Sequence, residues 1–288
     1  MNPDDENPLL NRKDVRQRFD RAAAGFDSVD FVHATTRKGL LARLAPMVVD
    51  ARHVVDLGAA TGSAAPLLAK RFRGAHVVAV DISSDMIRLA KKRRSWFARV
   101  SAVQADAHSL PFSDHSVDVV FSNLMLPWID DPARVFGEIA RVLRDNGLFL
   151  FSTLGPDSLD ELREAWAGSD PDAHVRRFPD MHDIGDAAVR AGLCDPVLDV
   201  DRLLVTYRAS SALFADLSAV GARNSLRRRS RTLGGAQRFQ EMASALDRSR
   251  QDGLLSLDLE LVYGHCWGPG ARSPAGEYRI DETQIQRR

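Results

Sequence analysis

Residues 53–62 have the sequence HVVDLGAATG, a short run rich in β-branched residues that leads into a glycine-containing turn. The next ten residues, 63–72, have the apolar spacing of a helix. Glycine lets a turn pass close to a ligand, and the first turn of a helix has free backbone N–H groups that can bind one. The order strand, glycine turn, helix therefore predicts a nucleotide-type cofactor site at this point of the chain.

Strand-like and helical segments alternate beyond this stretch. We predict strands at 76–81, 99–106, 116–123 and 147–154, and helices at 83–94 and 131–144. Such alternation is typical of parallel βαβ units, and strands that are apolar throughout fit a sheet covered by helices on both faces. The predicted fold class is α/β, a doubly wound, mostly parallel, seven-stranded Rossmann-like sheet with N-terminal helices and a helical cap insertion.

The segments on either side of this core are predicted to cover it. Helical spacing extends from Asn11 to about Pro46 and is interrupted at Gly25. Further helices are predicted at 155–168, 180–191 and within 211–250, and further strands at 196–207 and 255–267. The resulting organisation has a flexible leader (1–10), a single domain (11–268) and a flexible tail (269–288), with a cofactor-binding core at about 50–155 and substrate or cap elements at about 11–46 and 156–250.

Composition narrows the possible partners and compartments. The chain has 39 basic and 39 acidic residues, so no overall field attracts nucleic acid or an anionic membrane. The N-terminus has no apolar signal core, and no apolar run approaches the ~20 residues of a membrane helix. Cys194 and Cys266 lie far apart without metal-ligand spacing. We expect a cytoplasmic protein with reduced thiols and no metal site.

The glycine turn and its preceding acid distinguish two cofactor classes. Dinucleotide enzymes have G-x-G-x-x-G, whereas Gly58 to Gly62 reads G-A-A-T-G. Asp56 stands two residues before Gly58, where its carboxylate would attract a cationic amino-acid tail and repel a pyrophosphate. The pattern therefore favours S-adenosyl-L-methionine over a dinucleotide.

Further acids follow the neighbouring predicted strands. Asp81 ends the second strand, where an acid can accept hydrogen bonds from two ribose hydroxyls. Asp106 follows the third and can bind the adenine amino group beside the small Ala107, although an ordinary turn aspartate has the same pattern. The predicted cofactor-binding residues are Asp56, Gly58, Ala60, Gly62, Asp81, Ile82, Asp106, Ala107 and Asn123.

This constellation resembles the class I methyltransferases, whose glycine motif usually reads D-x-G-x-G-x-G. The chain departs from that motif at Ala60, where glycine is usual. A narrower resemblance, to the malonyl-acyl-carrier-protein O-methyltransferases of biotin synthesis, covers nearly the whole chain. It rests on FDRAAAGFD (19–27), SNLMLPWIDDP (122–132), FSTLGPDSLDELREAW (151–166), LFADLSAVGARN (213–224) and VYGHCWGP (262–269). Many members have tyrosine at the position of Phe26.

The narrower resemblance implies methyl transfer to the free carboxylate of a malonyl thioester on acyl carrier protein. A carboxylate is ionised at pH 7, so no general base is needed. A cation is useful for holding it, and the candidates for orienting the substrate are Arg163, Arg176, Arg177, Arg223 and Phe26. The carrier is acidic, which makes a basic cluster its candidate docking site: Arg227, Arg228, Arg229 and Arg231. Such a cluster is also typical of a solvated face.

Other functions share this scaffold. The mitochondrial complex I assembly factors that hydroxylate an arginine look similar around LPWIDDP and the D-x-L-x-E-L-R run. A non-catalytic assembly protein that keeps only the fold is a third possibility. Against it stands the intact set of predicted cofactor-binding residues Asp56, Gly58, Gly62 and Asp81. His33 and His265 fit hydrogen-bonded structural histidines better than catalytic ones.

Overall fold

The computed structural model describes residues 9–93, 99–169, 174–222 and 235–270. Seven strands in these ranges form one sheet: β1 (His53–Leu57), β2 (His76–Asp81), β3 (Val100–Gln104), β4 (Val117–Asn123), β5 (Leu143–Leu154), β6 (Cys194–Tyr207) and β7 (Leu255–Trp267). Their spatial order is β3-β2-β1-β4-β5-β7-β6. Strands β1 to β5 are parallel, and β7 is antiparallel to both β5 and β6. The predicted fold class is confirmed.

Helices cover both faces of the sheet. In the described ranges they are α1 (Arg12–Ala22), α2 (Phe31–Leu44), α3 (Ala65–Arg71), α4 (Ser84–Lys92), α5 (Pro132–Val142), α6 (Asp160–Ala167), α7 (Met181–Arg190), α8 (Ser210–Ala219) and α9 (Gly235–Arg248). Side chains of α2 and α3 pack on one face of the sheet, and side chains of α5 and α7 pack on the other.

Strand β1 shows why its sequence is apolar throughout. Successive side chains of a strand point to opposite faces. Val54 packs into the cluster that contains Leu40 of α2, and Val55 packs into the cluster that contains Phe136 of α5. Both valines are at most 1% exposed, so β1 lies in the middle of the core and holds the glycine turn that follows it in a fixed place.

The helix predicted at 155–168 is shorter in the structure, where α6 begins at Asp160. The backbone N–H groups of Gly155 and Leu159 donate to β7 carbonyls at 2.9 and 3.0 Å. These bonds hold the preceding segment against β7. Asp157, predicted near the start of the helix, instead pairs with an arginine of β6.

The cap elements have an apolar cluster of their own. Leu162 of α6, Leu213 of α8 and Met242 of α9 pack there with Leu257 of β7, and each is at most 5% exposed. No helix in the described ranges is long and apolar enough to cross a bilayer. The predicted leader and tail fall largely outside those ranges.

Candidate active site

A cleft opens at the carboxyl ends of β1, β2 and β4, where ligands of open α/β sheets bind. It holds about 750 Å³ of empty space, part of it open to solvent. The predicted site residues that line it are Phe26, Gly58, Ala60, Asp81, Ile82, Asp106, Ala107 and Asn123. Asp56 and Gly62 are outside its lining and are buried next to residues of the same turn.

The turn after β1 has a backbone that requires glycine at two places. Gly58 and Gly62 have φ angles of +73° and +79°. A Cβ atom on Gly58 would lie 2.6 Å from Cβ of Met125, and one on Gly62 would lie 2.9 Å from Cβ of Ala90. The first glycine therefore keeps the cleft open beside Met125, and the second lets α4 pack closely against the turn.

Ala60, between these two glycines, also has a left-handed conformation, with a φ angle of +47°. A left-handed conformation costs an L-residue about 1–2 kcal/mol, whereas glycine adopts it freely. Glycine gives the unfolded chain more conformational entropy, which offsets part of this gain. We therefore expect Ala60→Gly to raise the free energy of unfolding by about 0.5–1 kcal/mol. Urea denaturation measures this, with Ala59→Gly as the control.

Ala59 does not have a positive φ, so its replacement by glycine should lower stability. Equal losses for both variants would show that Ala60 is not strained.

Asp81 is fixed by the backbone around the cleft. Its Oδ2 accepts the N–H of Ala60 at 2.9 Å and its Oδ1 accepts the N–H of Ser83 at 2.8 Å. Burial raises the pKa of Asp81 to about 6, and these backbone hydrogen bonds oppose the rise. At pH 7 the carboxylate is ionised and has lone pairs left for hydroxyl donors in the cleft.

Asp56 is a buried acid, 2% exposed, and its Oδ2 accepts no hydrogen bond from any described residue. Burial, together with the charge of Asp81, raises the pKa of Asp56 to about 7, and the charge of Arg37 opposes the rise. A cationic group placed beside Asp56 would relieve this cost because it would favour the ionised carboxylate. The site therefore suits a ligand with an ammonium group.

Asp106 is held ionised by its own neighbours. It accepts the backbone N–H of His108 at 2.9 Å and contacts the His108 ring at 2.7 Å and Arg12 at 3.1 Å. Burial alone would raise the pKa of Asp106, but these hydrogen bonds and charges lower it below its ordinary value. The carboxylate lies next to Ala107, as an adenine-binding role requires.

Asn123 connects β4 to the N-terminal cover, by which we mean α1, the 3₁₀ turn at Phe26–Ser28 and α2. Its Nδ2 donates to the backbone carbonyl of His33 at 3.1 Å, and its Oδ1 accepts the hydroxyl of Ser152 at 2.9 Å. The side-chain amide thereby fixes α2 over the cleft. The position of Asn123 at the end of a predicted strand indicates this edge of the sheet, but the protein partners of its amide are not apparent from the sequence.

The N-terminal segment closes one side of the cleft. Phe26 is 3% exposed, in a 3₁₀ turn between α1 and α2, and its ring centroid is 5.0 Å from that of His33. Asp27 accepts the hydroxyl of Thr61 at 2.5 Å, and Asp20 accepts that of Ser83 at 2.7 Å. These bonds fasten the cover to the cofactor turn.

His33 is a cleft residue that sequence analysis treated as structural. Burial, together with the charge of Arg37, lowers the pKa of His33 to about 4, so the ring is neutral at pH 7. Its Nδ1 is buried and has no hydrogen-bond partner in the described ranges. The sequence also did not identify Arg12 and Met125 as cleft residues, whereas Trp128, a candidate wall of the site from its position near Asn123, does line the cleft.

The chain matches a protein-family model described as a methyltransferase domain over residues 55–151. It is 44% identical to the malonyl-[acyl-carrier protein] O-methyltransferase of Laribacter hongkongensis, and the alignment covers 90% of both chains. It is 40% identical to that of Halorhodospira halophila, over 100% of this chain and 99% of the relative. The chain belongs to the malonyl-[acyl-carrier protein] O-methyltransferase family. A solved structure of YcgJ from Bacillus subtilis has a similar fold, with a TM-score of 0.59, 20% identity, and coverage of 82% of this chain and 99% of that one.

Membership of this methyltransferase family makes S-adenosyl-L-methionine the cofactor, and the cleft fits it. The unpartnered Oδ2 of Asp56 suits the methionine ammonium group. Because Gly58 has no side chain, the space that a Cβ atom would fill is left for a ligand. Asp81 and Asp106 present carboxylates suited to the ribose hydroxyls and the adenine amino group.

Two of the arginines that the family resemblance suggested for the substrate are engaged elsewhere. Arg163 pairs with Asp160 and donates to the carbonyl of Pro156 at 2.7 Å. Arg176 is partly buried, which lowers its pKa, and contacts Asp130 at 3.1 Å. Neither arginine lines the cleft, nor does Arg177, and all three lie in or beside the cap.

The remaining predicted cations, Arg223 and the cluster Arg227, Arg228, Arg229 and Arg231, lie outside the described residues. In the part of the chain that the structure describes, Arg12 is the arginine that lines the cleft. That part contains no group of three or more His, Cys, Asp or Glu side chains able to hold a metal ion.

Proposed function

We propose that this protein methylates the free carboxylate of a malonyl thioester carried on acyl carrier protein, which supplies a methyl ester to the pimeloyl branch of biotin synthesis. The observation that carries the proposal is the 40% identity to a named relative over the whole chain, including the cover and cap as well as the cofactor core. Substrate identity depends on those outer elements, since the core alone specifies the cofactor.

The residues of the cleft have three tasks in this reaction. Asp56, Asp81 and Asp106 hold the amino-acid, ribose and adenine parts of the cofactor. When bound, S-adenosyl-L-methionine supplies a methyl group on a positively charged sulfur. The substrate carboxylate is already ionised at pH 7, so the chain has to align it and exclude water rather than remove a proton.

The N-terminal cover supplies the apolar wall of the reaction space. Phe26 lies in the position where many family members have tyrosine, and the neutral ring of His33 lies beside it. The unpartnered Nδ1 of His33 is available to hydrogen-bond a substrate oxygen. We assign to Arg12, Arg177 and Arg223 the role of attracting the malonyl carboxylate, and to Arg163 and Arg176 the role of shaping the cap.

The pH dependence of cofactor affinity follows from the two buried acids. The pKa values of Asp56 and Asp81 are about 7 and 6, and both carboxylates must be ionised to bind the ammonium and ribose groups. Affinity for S-adenosyl-L-methionine should rise roughly tenfold or more between about pH 5.5 and 7.5. Titration calorimetry at several pH values measures this.

The unliganded protein should show the opposite trend. Both acids have folded pKa values above the ordinary 3.8, so the folded chain binds more protons than the unfolded chain between about pH 4 and 7. Its stability should therefore fall as pH rises through that window. Asp56→Asn should flatten both dependences, and a variant with the unchanged wild-type profile would contradict the assignment of Asp56.

Growth complementation tests the physiological role. In a bacterial strain that lacks its own malonyl-acyl-carrier-protein methyltransferase, this protein should restore growth without biotin. Asp81→Ala should not restore growth, whereas Asp85→Ala should, because Asp85 is a nearby acid outside the cleft lining. No growth with the wild-type protein present at normal levels would contradict the proposal.

We further assign carrier docking to the cluster Arg227, Arg228, Arg229 and Arg231. Reversal of these charges should raise KM for malonyl-acyl carrier protein much more than KM for malonyl-CoA. Equal effects on both substrates would contradict the docking assignment.

A further inference from the structure

A second concave site lies at the opposite edge of the sheet from the cofactor cleft. This site, the amino-edge groove, is lined by Asp50, Ala51, Arg52, His53, Arg73, Gly74, His76 and Arg99. It holds about 1050 Å³ of empty space, part of it open to solvent. Since β1 is five residues long, roughly 17 Å of strand separates the groove from the cleft. The groove is therefore a separate site.

The topology of the sheet brings the basic residues of this groove together. Arg52 directly precedes β1, Arg73 lies in the turn before β2, and Arg99 directly precedes β3. The three strands are neighbours in the sheet and run parallel, so their amino ends meet at one edge. His53 and His76 begin two of these strands and are partners in register.

Within the described ranges, these three arginines differ from most others in having no hydrogen-bond or ion-pair partner for the guanidinium group. None of their guanidinium groups forms a hydrogen bond or ion pair with the described residues, and all three residues are exposed. Many arginines elsewhere in the described ranges pair with carboxylates; examples are Arg37, Arg43, Arg93, Arg141, Arg144, Arg176 and Arg202.

The carboxylates near the groove leave its positive charge largely unbalanced. Asp50 is the acid in its lining. Asp118 accepts the backbone N–H groups of Arg52 and His53 at 2.8 Å each, and it pairs with Arg144 at 2.6 Å. The charge of Asp118 is thus compensated within the protein. The groove presents three guanidinium groups against one free carboxylate.

We propose that the amino-edge groove binds a small polyphosphate anion, with the arginines from the three strand starts as its ligands. Arginine suits phosphate because its planar guanidinium can donate two parallel hydrogen bonds. Among the residues that the structure describes, no aromatic or large aliphatic side chain lines the groove. Recognition therefore rests on the phosphate groups, and a base or other apolar part of the ligand adds little.

Titration calorimetry with tripolyphosphate tests the proposal in about 50 mM salt, where ionic contacts are weakly screened. The wild-type protein should bind one tripolyphosphate with a Kd on the order of 10–100 µM. The triple variant Arg52→Gln, Arg73→Gln, Arg99→Gln should weaken binding at least about tenfold. Its affinity for S-adenosyl-L-methionine should stay unchanged.

A matched triple variant controls for net charge. Arg134→Gln, Arg190→Gln, Arg248→Gln removes the same charge from exposed positions outside the groove and should leave binding unchanged. Equal weakening by the two triple variants, or no binding by the wild type, would overturn the proposal. ATP should bind about as tightly as tripolyphosphate, and clearly tighter binding of ATP would contradict recognition by phosphate alone.

Discussion

Replacement of Asp81 by alanine should raise the Kd for S-adenosyl-L-methionine at least about 100-fold. The carboxylate is ionised at pH 7 and is assigned two hydrogen bonds to ribose hydroxyls. A hydrogen bond to a charged group contributes about 1.5–3 kcal/mol, and 1.4 kcal/mol corresponds to a tenfold change in affinity. The variant also loses the hydrogen bonds that Asp81 accepts from the N–H groups of Ala60 and Ser83. In the wild-type protein these bonds hold the turn in shape.

Titration calorimetry on the purified variant measures the loss. Asp85→Ala is the matched control, because Asp85 lies four residues further along the chain, pairs with Arg88 on α4 and does not line the cleft. Asp81→Asn separates the loss of ribose binding from the loss of the backbone hydrogen bonds in the turn, since an amide oxygen can still accept one backbone N–H group. Unchanged affinity in Asp81→Ala would remove Asp81 from the cofactor site.

Gly58→Ala should have the second large effect, on both stability and cofactor binding. Its φ of +73° costs an alanine about 1–2 kcal/mol. The new Cβ would also lie 2.6 Å from Cβ of Met125, and overpacking of this kind costs about 1–3 kcal/mol more. Movement of Met125 to relieve the clash would narrow the cleft, so affinity for the cofactor should fall at least about tenfold.

Gly253→Ala isolates the backbone contribution. Gly253 has a φ of +77°, and a Cβ atom there would meet nothing within 4 Å. Urea denaturation should show a loss of stability for Gly253→Ala that is clearly smaller than the loss for Gly58→Ala, with unchanged cofactor affinity. Equal losses for the two variants would show that contact with Met125 is unimportant.

Local sequence order predicted the part of the site that depends on local geometry. The strand, turn and helix around Gly58 are contiguous, and Asp81 follows from the rule that ligands bind at the carboxyl ends of parallel strands. Both residues line the cleft. The left-handed φ of Ala60 also explains why glycine is usual at that position.

Residues placed by tertiary contacts could not be predicted in this way. His33 and Arg12 reach the cleft because the N-terminal cover folds over it, and no spacing relates them to the glycine turn. Arg163 was a reasonable candidate for the substrate, but its partners in the folded cap, Asp160 and the carbonyl of Pro156, are not apparent from sequence order alone.

The amino-edge groove could not be predicted from sequence order either. Its arginines, at 52, 73 and 99, are separated by more than twenty residues each and form no motif. Only the order of β3, β2 and β1 in the sheet brings them together. A charge balance of 39 basic and 39 acidic residues gave no indication of a local basic site.

Methyl transfer is detected by intact-protein mass spectrometry of malonyl-acyl carrier protein after incubation with this protein and S-adenosyl-L-methionine. We expect a mass gain of one methyl group that a carboxyl esterase removes, and no gain on acetyl-acyl carrier protein, which has no free carboxylate. No gain on the malonyl form, with cofactor binding established separately by calorimetry, would contradict the proposed methyl transfer.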